Sequence, residues 1–269
     1  MKSCAKRRGN PVVSLVRRWC GPVSAVIACA LTMGNAMAAP PIPQPVSDPL
    51  QRKHPTDLGS FIELRDDYAT SRRTITSSIV LRGDYAPVPW AALRLELPLT
   101  YVDKPDRRPT MGLGDVYARA TVRVVASDVS LLVGTDCLLD SASAKLLGGS
   151  KNVVGPFATI AWDLGPGVWV RLQLQHLGSF GGDPKQATVS ATSVRPYALV
   201  ALPEGFWVVL DQSLRVDHKG TRDLAYTAVL EGGKELSKEV SMYLDPGVEL
   251  DSPWALTWLM TGGVRWTMR

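Results

Sequence analysis

The sequence predicts an all-β fold, an antiparallel transmembrane β-barrel of about twelve strands, on three observations. From Gly59 onwards, segments of about 8 to 14 residues alternate apolar and polar positions, which is the period of a β-strand. About twelve such segments follow one another, and bacterial transmembrane barrels have an even number of strands of about ten residues each. The links alternate between short turns and longer polar loops, as they do in such barrels.

The alternation is clearest where leucines occupy every second position from Leu93 to Leu99 and enclose Arg94 and Glu96. In the last segment, Trp254, Leu256, Trp258, Met260, Val264, Trp266 and Met268 share one face. We expect Trp90, Tyr101, Trp254 and Trp266 near strand ends to form aromatic girdles at the membrane interface. We expect strands near 59–68, 73–84, 89–101, 114–125, 128–138, 154–163, 167–177, 188–201, 205–216, 222–231, 239–249 and 253–268.

The links support a barrel over a soluble β-sandwich, which shows the same alternation within its strands. We expect short turns on one side of the membrane, at Tyr85–Val88, Ala126–Ser127, Leu164–Pro166, Leu202–Glu204 and Gly232–Lys238, where Pro, Gly or Ser occur. The other side receives most of the longer links, notably Val102–Leu113, Leu139–Val153 and Gly178–Ala187. A sandwich has no physical reason to sort its loops in this way.

Three regions are predicted along the chain. Residues 1–38 read as a signal peptide with a basic start, an apolar stretch from Trp19 to Met33, and a small-residue cleavage site at Ala36–Ala38. A competing interpretation is cleavage before Cys29 with lipidation of that cysteine, although the apolar run continues past it. Residues 39–58 are rich in proline and form an extended segment in the periplasm or inside the barrel. Residues 59–269 form the barrel.

The net charge of +5 belongs to the signal peptide. Six of the 30 basic residues precede residue 39, which leaves 30 − 6 = 24 against 25 acidic residues, a balance of about −1. Nucleic-acid binding therefore has no support from charge. Cys137 is the one cysteine beyond residue 38, so no intramolecular disulfide or cysteine-based metal site is available to the mature chain.

A barrel in lipid needs a polar inner face, since charged side chains are tolerated there and are costly against hydrocarbon. The candidate pore-lining residues are Arg94, Glu96, Arg119, Arg123, Arg171, Gln173, Arg195, Asp211 and Arg215. The arginines have two interpretations. They select anionic solutes in an open pore, or they pair with carboxylates and fill a narrow lumen, which favours apolar solutes.

Catalytic and metal chemistry finds little support. His176 and Ser179 form the best base–nucleophile candidate, but their spacing points the two side chains to opposite faces of a strand. Asp66 with Asp67, or Asp103 with Asp106, could hold Ca²⁺, although solvated carboxylates explain them as well. We expect no enzyme, no cofactor, no catalytic residue and no metal site.

Four motifs resemble, in their order and spacing, the outer-membrane channel family associated with the meta-pathway of phenol degradation, which is grouped with long-chain fatty-acid-type transporters. They are Gly112–Asp115 at a strand start, Leu147–Lys151 leading to Gly155–Pro156, Gln175–Asp183, and Arg195 through Trp207. Gln175 and Arg195 depart from the family's usual Asn and Gln.

The resemblance implies a bacterial outer-membrane channel that passes small hydrophobic or aromatic compounds. Its expected partners are outer-membrane lipid, the barrel-assembly machinery and the solute, with no nucleic acid. The alternatives are a non-conducting structural or adhesive barrel and, third, an outer-membrane lipid-modifying enzyme.

Overall fold

The computed structural model describes residues 58–71, 74–105, 107–125, 129–219, 223–251 and 255–268. The signal-peptide prediction for 1–38 and the Pro-rich segment up to residue 57 lie outside the described residues. Across the described ranges, no helix is long and apolar enough to cross a bilayer.

Strands dominate the described part of the chain, with one short 3-10 helix at Pro203–Gly205. The strands are β1 Ser60–Ser71, β2 Thr74–Val88, β3 Ala91–Asp103, β4 Thr110–Leu113, β5 Val116–Val125, β6 Val129–Leu139, β7 Lys151–Asp163, β8 Val168–Gly182, β9 Ser190–Ala201, β10 Phe206–Asp217, β11 Leu224–Glu235, β12 Val240–Asp251 and β13 Ala255–Met268.

These strands close into a ring with twelve antiparallel strand positions. Strand β1 pairs with both β2 and β13, and β2 pairs in turn with β3, so the sheet has no free edge. The short strand β4 and strand β5 both pair with β3, along Leu99–Val102 and Ala91–Glu96 respectively. Together they occupy one strand position of the ring, which we call the β4–β5 strand. The predicted closed barrel of about twelve strands is confirmed. Closure satisfies the backbone hydrogen bonds that hydrocarbon cannot satisfy.

The β4–β5 strand contains an irregularity at Gly114 and Asp115. In β4 the inward position is Gly112, which pairs with the inward Thr100, whereas in β5 the inward position is Tyr117, which pairs with the inward Glu96. Inward positions therefore change from even to odd numbers across this break. An extra residue that shifts the alternation is the effect of a β-bulge.

The two faces of the ring differ in polarity, in the opposite sense to a soluble protein. Leu93, Leu95, Leu97 and Leu99 point outwards and are 56%, 47%, 40% and 42% exposed. In contrast, Glu63 and Arg82 point inwards and are 0% exposed. An apolar outer band around a polar interior is the arrangement of a transmembrane barrel.

The barrel has two different ends. The turn end holds the described links 89–90, 164–167, 202–205 and 236–239, together with the start of β1 and the end of β13. The loop end holds the described links 140–150 and 183–189, together with the end of β1 and the start of β13. These two links at the loop end are longer than the described links at the turn end, as predicted.

Two turns lie later in the chain than the sequence predicted. Tyr85–Val88 is part of β2, and the turn falls at 89–90, because the paired segment extends through a bulge to Val88 opposite Ala91. Likewise β11 continues to Glu235, so the link is 236–239 instead of Gly232–Lys238, because Gly232 and Gly233 pair with β12. A glycine in the sequence indicates a turn only when its backbone is not paired with a neighbouring strand.

Candidate functional site: the barrel interior

All nine predicted pore-lining residues occupy inward positions of their strands. The buried members are Arg94, Glu96, Gln173 and Asp211, and the half-buried members are Arg119, Arg123, Arg171, Arg195 and Arg215. The alternation of β3, β5, β8, β9 and β10 places them there. Their contact with a solute stays a prediction.

Arg94 and Glu96 belong to a larger set, which we call the ionic network. It comprises Glu63, Arg65, Asp67, Arg82, Asp84, Arg94, Glu96 and Arg265, on β1, β2, β3 and β13. The sequence analysis missed the members on β1, β2 and β13. The signal was available in β1, where Glu63 and Arg65 alternate with Ile62 and Leu64.

Glu63 is at the centre of the ionic network. One of its carboxylate oxygens, Oε2, accepts hydrogen bonds from Nε of Arg265 at 2.7 Å and from Nη2 of the same residue. Its other oxygen lies 3.6 Å from guanidinium nitrogens of both Arg65 and Arg82. Three guanidinium groups therefore share one carboxylate that water does not reach.

The remaining carboxylates of the network balance these guanidinium groups. Arg65 donates to Asp67 at 2.9 Å and to Glu96 at 2.9 Å. Asp84 accepts from Arg82 at 2.7 Å and from Arg94 at 3.0 Å. Buried charges persist in proteins when they are paired and hydrogen-bonded in this way.

Two further ion pairs lie elsewhere on the inner wall. Arg119 makes a bidentate pair with Asp136, at 2.6 and 2.9 Å, and Gln175 donates to the same carboxylate at 2.7 Å. Arg195 makes a second bidentate pair with Asp211, at 2.8 and 2.7 Å. Of the two interpretations of the arginines, these contacts favour the one in which they pair with carboxylates inside the ring.

Apolar side chains also line the interior, in one cluster near each end. The turn-end cluster comprises Tyr197, Leu199, Trp207, Val209 and Tyr243, with Trp169 packed against it. The loop-end cluster comprises Tyr117, Leu138, Val153, Leu177 and Ala191, with Val189 packed against it. Both clusters occupy inward positions, so the lumen is not uniformly polar. The sequence analysis did not single out either cluster, because inward apolar residues look like any other residue of an alternating strand.

Aromatic rings of the interior contact guanidinium groups. The Arg171 guanidinium lies 3.8 Å from the centre of the Tyr197 ring, and Arg119 lies 4.7 Å from the centre of the Phe157 ring. The faces of aromatic rings attract cations, most strongly where water is excluded. The charged and apolar parts of the lumen are therefore contiguous.

Asp115 anchors the longest loop, 140–150. Its carboxylate accepts backbone N–H groups of Ser141 and Ala142, both at 3.2 Å, and of Gly149 at 2.6 Å. A Cβ on Gly148 would lie 2.4 Å from this carboxylate, so glycine is required for the close approach. The Gly112–Asp115 motif thus has a structural role: it contains the bulge of the β4–β5 strand and holds loop 140–150.

Loop 140–150 lies against the inner face of β4. A Cβ on the inward Gly112 would meet Ser143 and Leu147, and Leu147 itself is buried. The loop is also linked to the next one, because Lys145 Nζ donates to Asp183 at 2.6 Å. That hydrogen bond, with one from the backbone of Lys185, lowers the pKa of the Asp183 carboxyl. Loop 140–150 therefore packs against the inner face of β4 and is held to the neighbouring loop at the loop end.

Asp115→Ala is expected to release loop 140–150 while leaving the barrel folded. The loop would lose three hydrogen bonds to a charged acceptor, each of which contributes about 1.5–3 kcal/mol. Limited trypsin digestion measures the effect, through faster cleavage after Lys145 with an unchanged heat-induced shift in gel mobility. Asp140→Asn, an exposed carboxylate in the same loop, is the control. Equal cleavage rates in the two variants would show that Asp115 does not hold the loop.

Among the described residues, which do not include Asp106, the candidates for other chemistry are not brought together. His176 points outwards and shares Thr192 with His218, at 3.1 and 2.8 Å, whereas Ser179 bonds the backbone of Val189, so the predicted separation of His176 and Ser179 is observed. Asp67 pairs with Arg65. Among the described residues, no three His, Cys, Asp or Glu side chains are grouped as a metal site.

Comparison with known proteins identifies the fold. No protein-family model matches the chain, and no curated protein matches its sequence. The COG4313 outer membrane channel from Pseudomonas putida F1 superposes with a TM-score of 0.66 at 12% identity, over 82% of this chain and 100% of that one. The NanC porin gives a TM-score of 0.59 at 10% identity (77% and 100% covered), and the KdgM porin gives 0.52 at 12% identity (78% and 99% covered).

At these identities the similarity establishes a fold shared with outer-membrane channels and porins. The resemblance to the meta-pathway family stays a prediction, and so does the passage of any particular compound.

Proposed function

We propose that this chain is a channel of the bacterial outer membrane that passes small hydrophobic or aromatic compounds through a narrow lumen. The observation that carries the proposal is the pair of apolar clusters, one near each end of an otherwise charged interior. Inward Trp207, Tyr197 and Tyr243 give the turn-end part of the interior an apolar and aromatic wall. Apolar walls lower the cost of moving an apolar solute out of lipid or water.

The location in an outer membrane is part of the proposal. A closed ring with an exposed apolar outer face suits lipid, and barrels of this kind are inserted in outer membranes. We expect the barrel-assembly machinery to insert the chain after export. The outer membrane blocks apolar compounds through its charged outer leaflet, so a protein route for such compounds has a physical purpose there.

Ion pairs support a narrow lumen over a wide aqueous pore. The buried Glu63, Arg82 and Arg265 fill space inside the ring, and smaller barrels are generally filled by side chains. We therefore expect a small ion conductance in planar bilayers. A large, steady, open conductance would contradict this part of the proposal.

Uptake of an uncharged aromatic probe tests the substrate class. In cells with an intact outer membrane, the fluorescence of N-phenylnaphthylamine is expected to rise faster with the protein than with an empty vector. Leu199→Asn places a polar amide in the turn-end cluster and should reduce the gain in rate by about tenfold or more, because one buried apolar side chain contributes about 1.5–3 kcal/mol and about 1.4 kcal/mol is tenfold in rate. Ser193→Ala, an inward position of the same strand outside the cluster, is the control.

A non-conducting structural or adhesive barrel is the second candidate. It predicts a folded protein in the outer membrane, with no uptake above the vector and no difference between Leu199→Asn and Ser193→Ala. The result of the same assay therefore separates the two functions. For an enzymatic role, the base and nucleophile candidates His176 and Ser179 lie on opposite faces of β8, so we propose none.

A further inference from the structure

Aromatic residues and glycines alternate along one level of the inner wall, near the turn end. Trp207 of β10 lies opposite Gly233 of β11, and Gly233 lies opposite Tyr243 of β12. Tyr243 in turn lies opposite Gly263 of β13. All four occupy inward positions of their strands. Four successive strands therefore carry a large ring, a glycine, a large ring and a glycine.

Each ring lies over the glycine of the next strand. A Cβ on Gly233 would overlap the indole of Trp207, and a Cβ on Gly263 would lie 2.6 Å from Cζ of Tyr243. Carbon atoms in contact are about 3.5–4.0 Å apart. Both rings therefore occupy the space in which any other residue at 233 or 263 would place its side chain.

Further contacts fix each ring to the strand that carries its glycine. The Trp207 indole N–H donates a hydrogen bond to Glu231, the inward residue two positions before Gly233. The guanidinium of Arg265, two positions after Gly263, lies 5.6 Å from the centre of the Tyr243 ring. At that distance an aromatic ring attracts a cation.

Each of these glycines has an outward glycine beside it in the chain, which provides a comparison. A Cβ on Gly232 would meet open space, and a Cβ on Gly262 would lie at an ordinary 3.5 Å from the Leu244 side chain. A glycine inside a strand often marks a close approach by another group. In these two pairs the close approach of a ring concerns the inward glycine alone.

We propose that Gly233 and Gly263 set the width of the lumen at the turn-end cluster, and with it the largest aromatic solute that passes. The inference rests on the proposed channel function and adds a size limit to it. A methyl group at either position displaces the ring by about 1 Å to restore ordinary contact distances. Because the sheet lies behind the ring and the turn-end cluster lies beside it, the displaced ring moves towards the lumen.

The test compares the uptake of a wider and a narrower uncharged aromatic compound, N-phenylnaphthylamine and radiolabelled toluene, by cells with an intact outer membrane. Gly233→Ala and Gly263→Ala are each expected to lower the gain in N-phenylnaphthylamine uptake by about tenfold, as an overpacked wall obstructs the wider solute. The gain in toluene uptake should fall by less than about twofold. Rates are expressed per folded protein, measured by the heat-induced shift in gel mobility.

Gly232→Ala and Gly262→Ala are the matched controls, because they remove the flexibility of a glycine in the same strands without touching a ring. Both should keep the wild-type ratio of the two rates. Adding Tyr243→Leu to Gly263→Ala should restore the uptake of N-phenylnaphthylamine, since the smaller side chain leaves room for the methyl group.

The outcomes separate the size limit from the channel function. If the wild type exceeds the empty vector but Gly233→Ala and Gly263→Ala match their controls, or slow both compounds equally, the size limit is overturned and the channel function stands. A wild type no better than the vector would overturn both. If alanine at 233 and 263 prevents folding, Tyr243→Leu alone decides: it should raise the rate for N-phenylnaphthylamine relative to toluene, and an unchanged ratio would overturn the size limit.

Discussion

Leu97→Arg is expected to destabilise the barrel by about 2–4 kcal/mol, the cost of an arginine that faces lipid at the middle of a membrane. Leu97 lies at the centre of β3 on the outer face, opposite the equally outward Leu81 of β2. The arginine could not find water at this depth without disturbing the lipid. Part of the protein should therefore fail to insert.

Guanidinium-induced unfolding in phospholipid vesicles measures this cost, with gel mobility as a second readout of the folded fraction. Leu97→Met preserves volume and polarity, so a change of less than about 1.5 kcal/mol is expected. Met268→Arg, on the outer face at the turn end, should cost about 0–1 kcal/mol. If all three variants behave alike, the outer face does not contact hydrocarbon.

Glu63→Gln is expected to destabilise the barrel by about 3–5 kcal/mol, because breaking a buried ion pair leaves its partner charge uncompensated. The substitution preserves shape but removes the charge that Arg265, Arg65 and Arg82 share. The loss should persist in concentrated salt, because buried charges are screened far less than exposed ones.

The matched control is Asp66→Asn, a carboxylate of the same strand that points outwards, is exposed and accepts a hydrogen bond from Ser77 at 3.2 Å. A change of at most about 0.5 kcal/mol is expected there. A Glu63→Gln barrel with the stability of this control would mean that water enters the ionic network. The lumen would then be wider than we propose.

The inner wall of the barrel has two kinds of surface, one charged and one apolar, and they make different contacts. The ionic network and the bidentate pairs connect strands around the ring, while the apolar clusters near the two ends pack inward apolar side chains against one another. Tyr197 of the turn-end cluster and Phe157 contact arginines and so place aromatic surface next to charged groups.

The alternation of residues was enough to predict the barrel, its approximate strand number and which side chains point inwards. Period-two patterning is a local property, so the leucines at 93 to 99 and the inward Arg94 and Glu96 are visible without any knowledge of neighbours. The positions of two turns were not predicted correctly from the sequence. At Val88 and Glu235 the strand continues because a neighbouring strand pairs with it, which is not a local property.

Only the tertiary structure decided which inward side chains meet. Glu63 and Arg265 are 202 positions apart in the chain and touch because β1 and β13 close the ring. The role of Asp115 likewise depends on Gly149, 34 positions away. Local pattern determines the face of a strand that a residue occupies, whereas register and ring closure determine its partners, because these arise from pairings between distant segments.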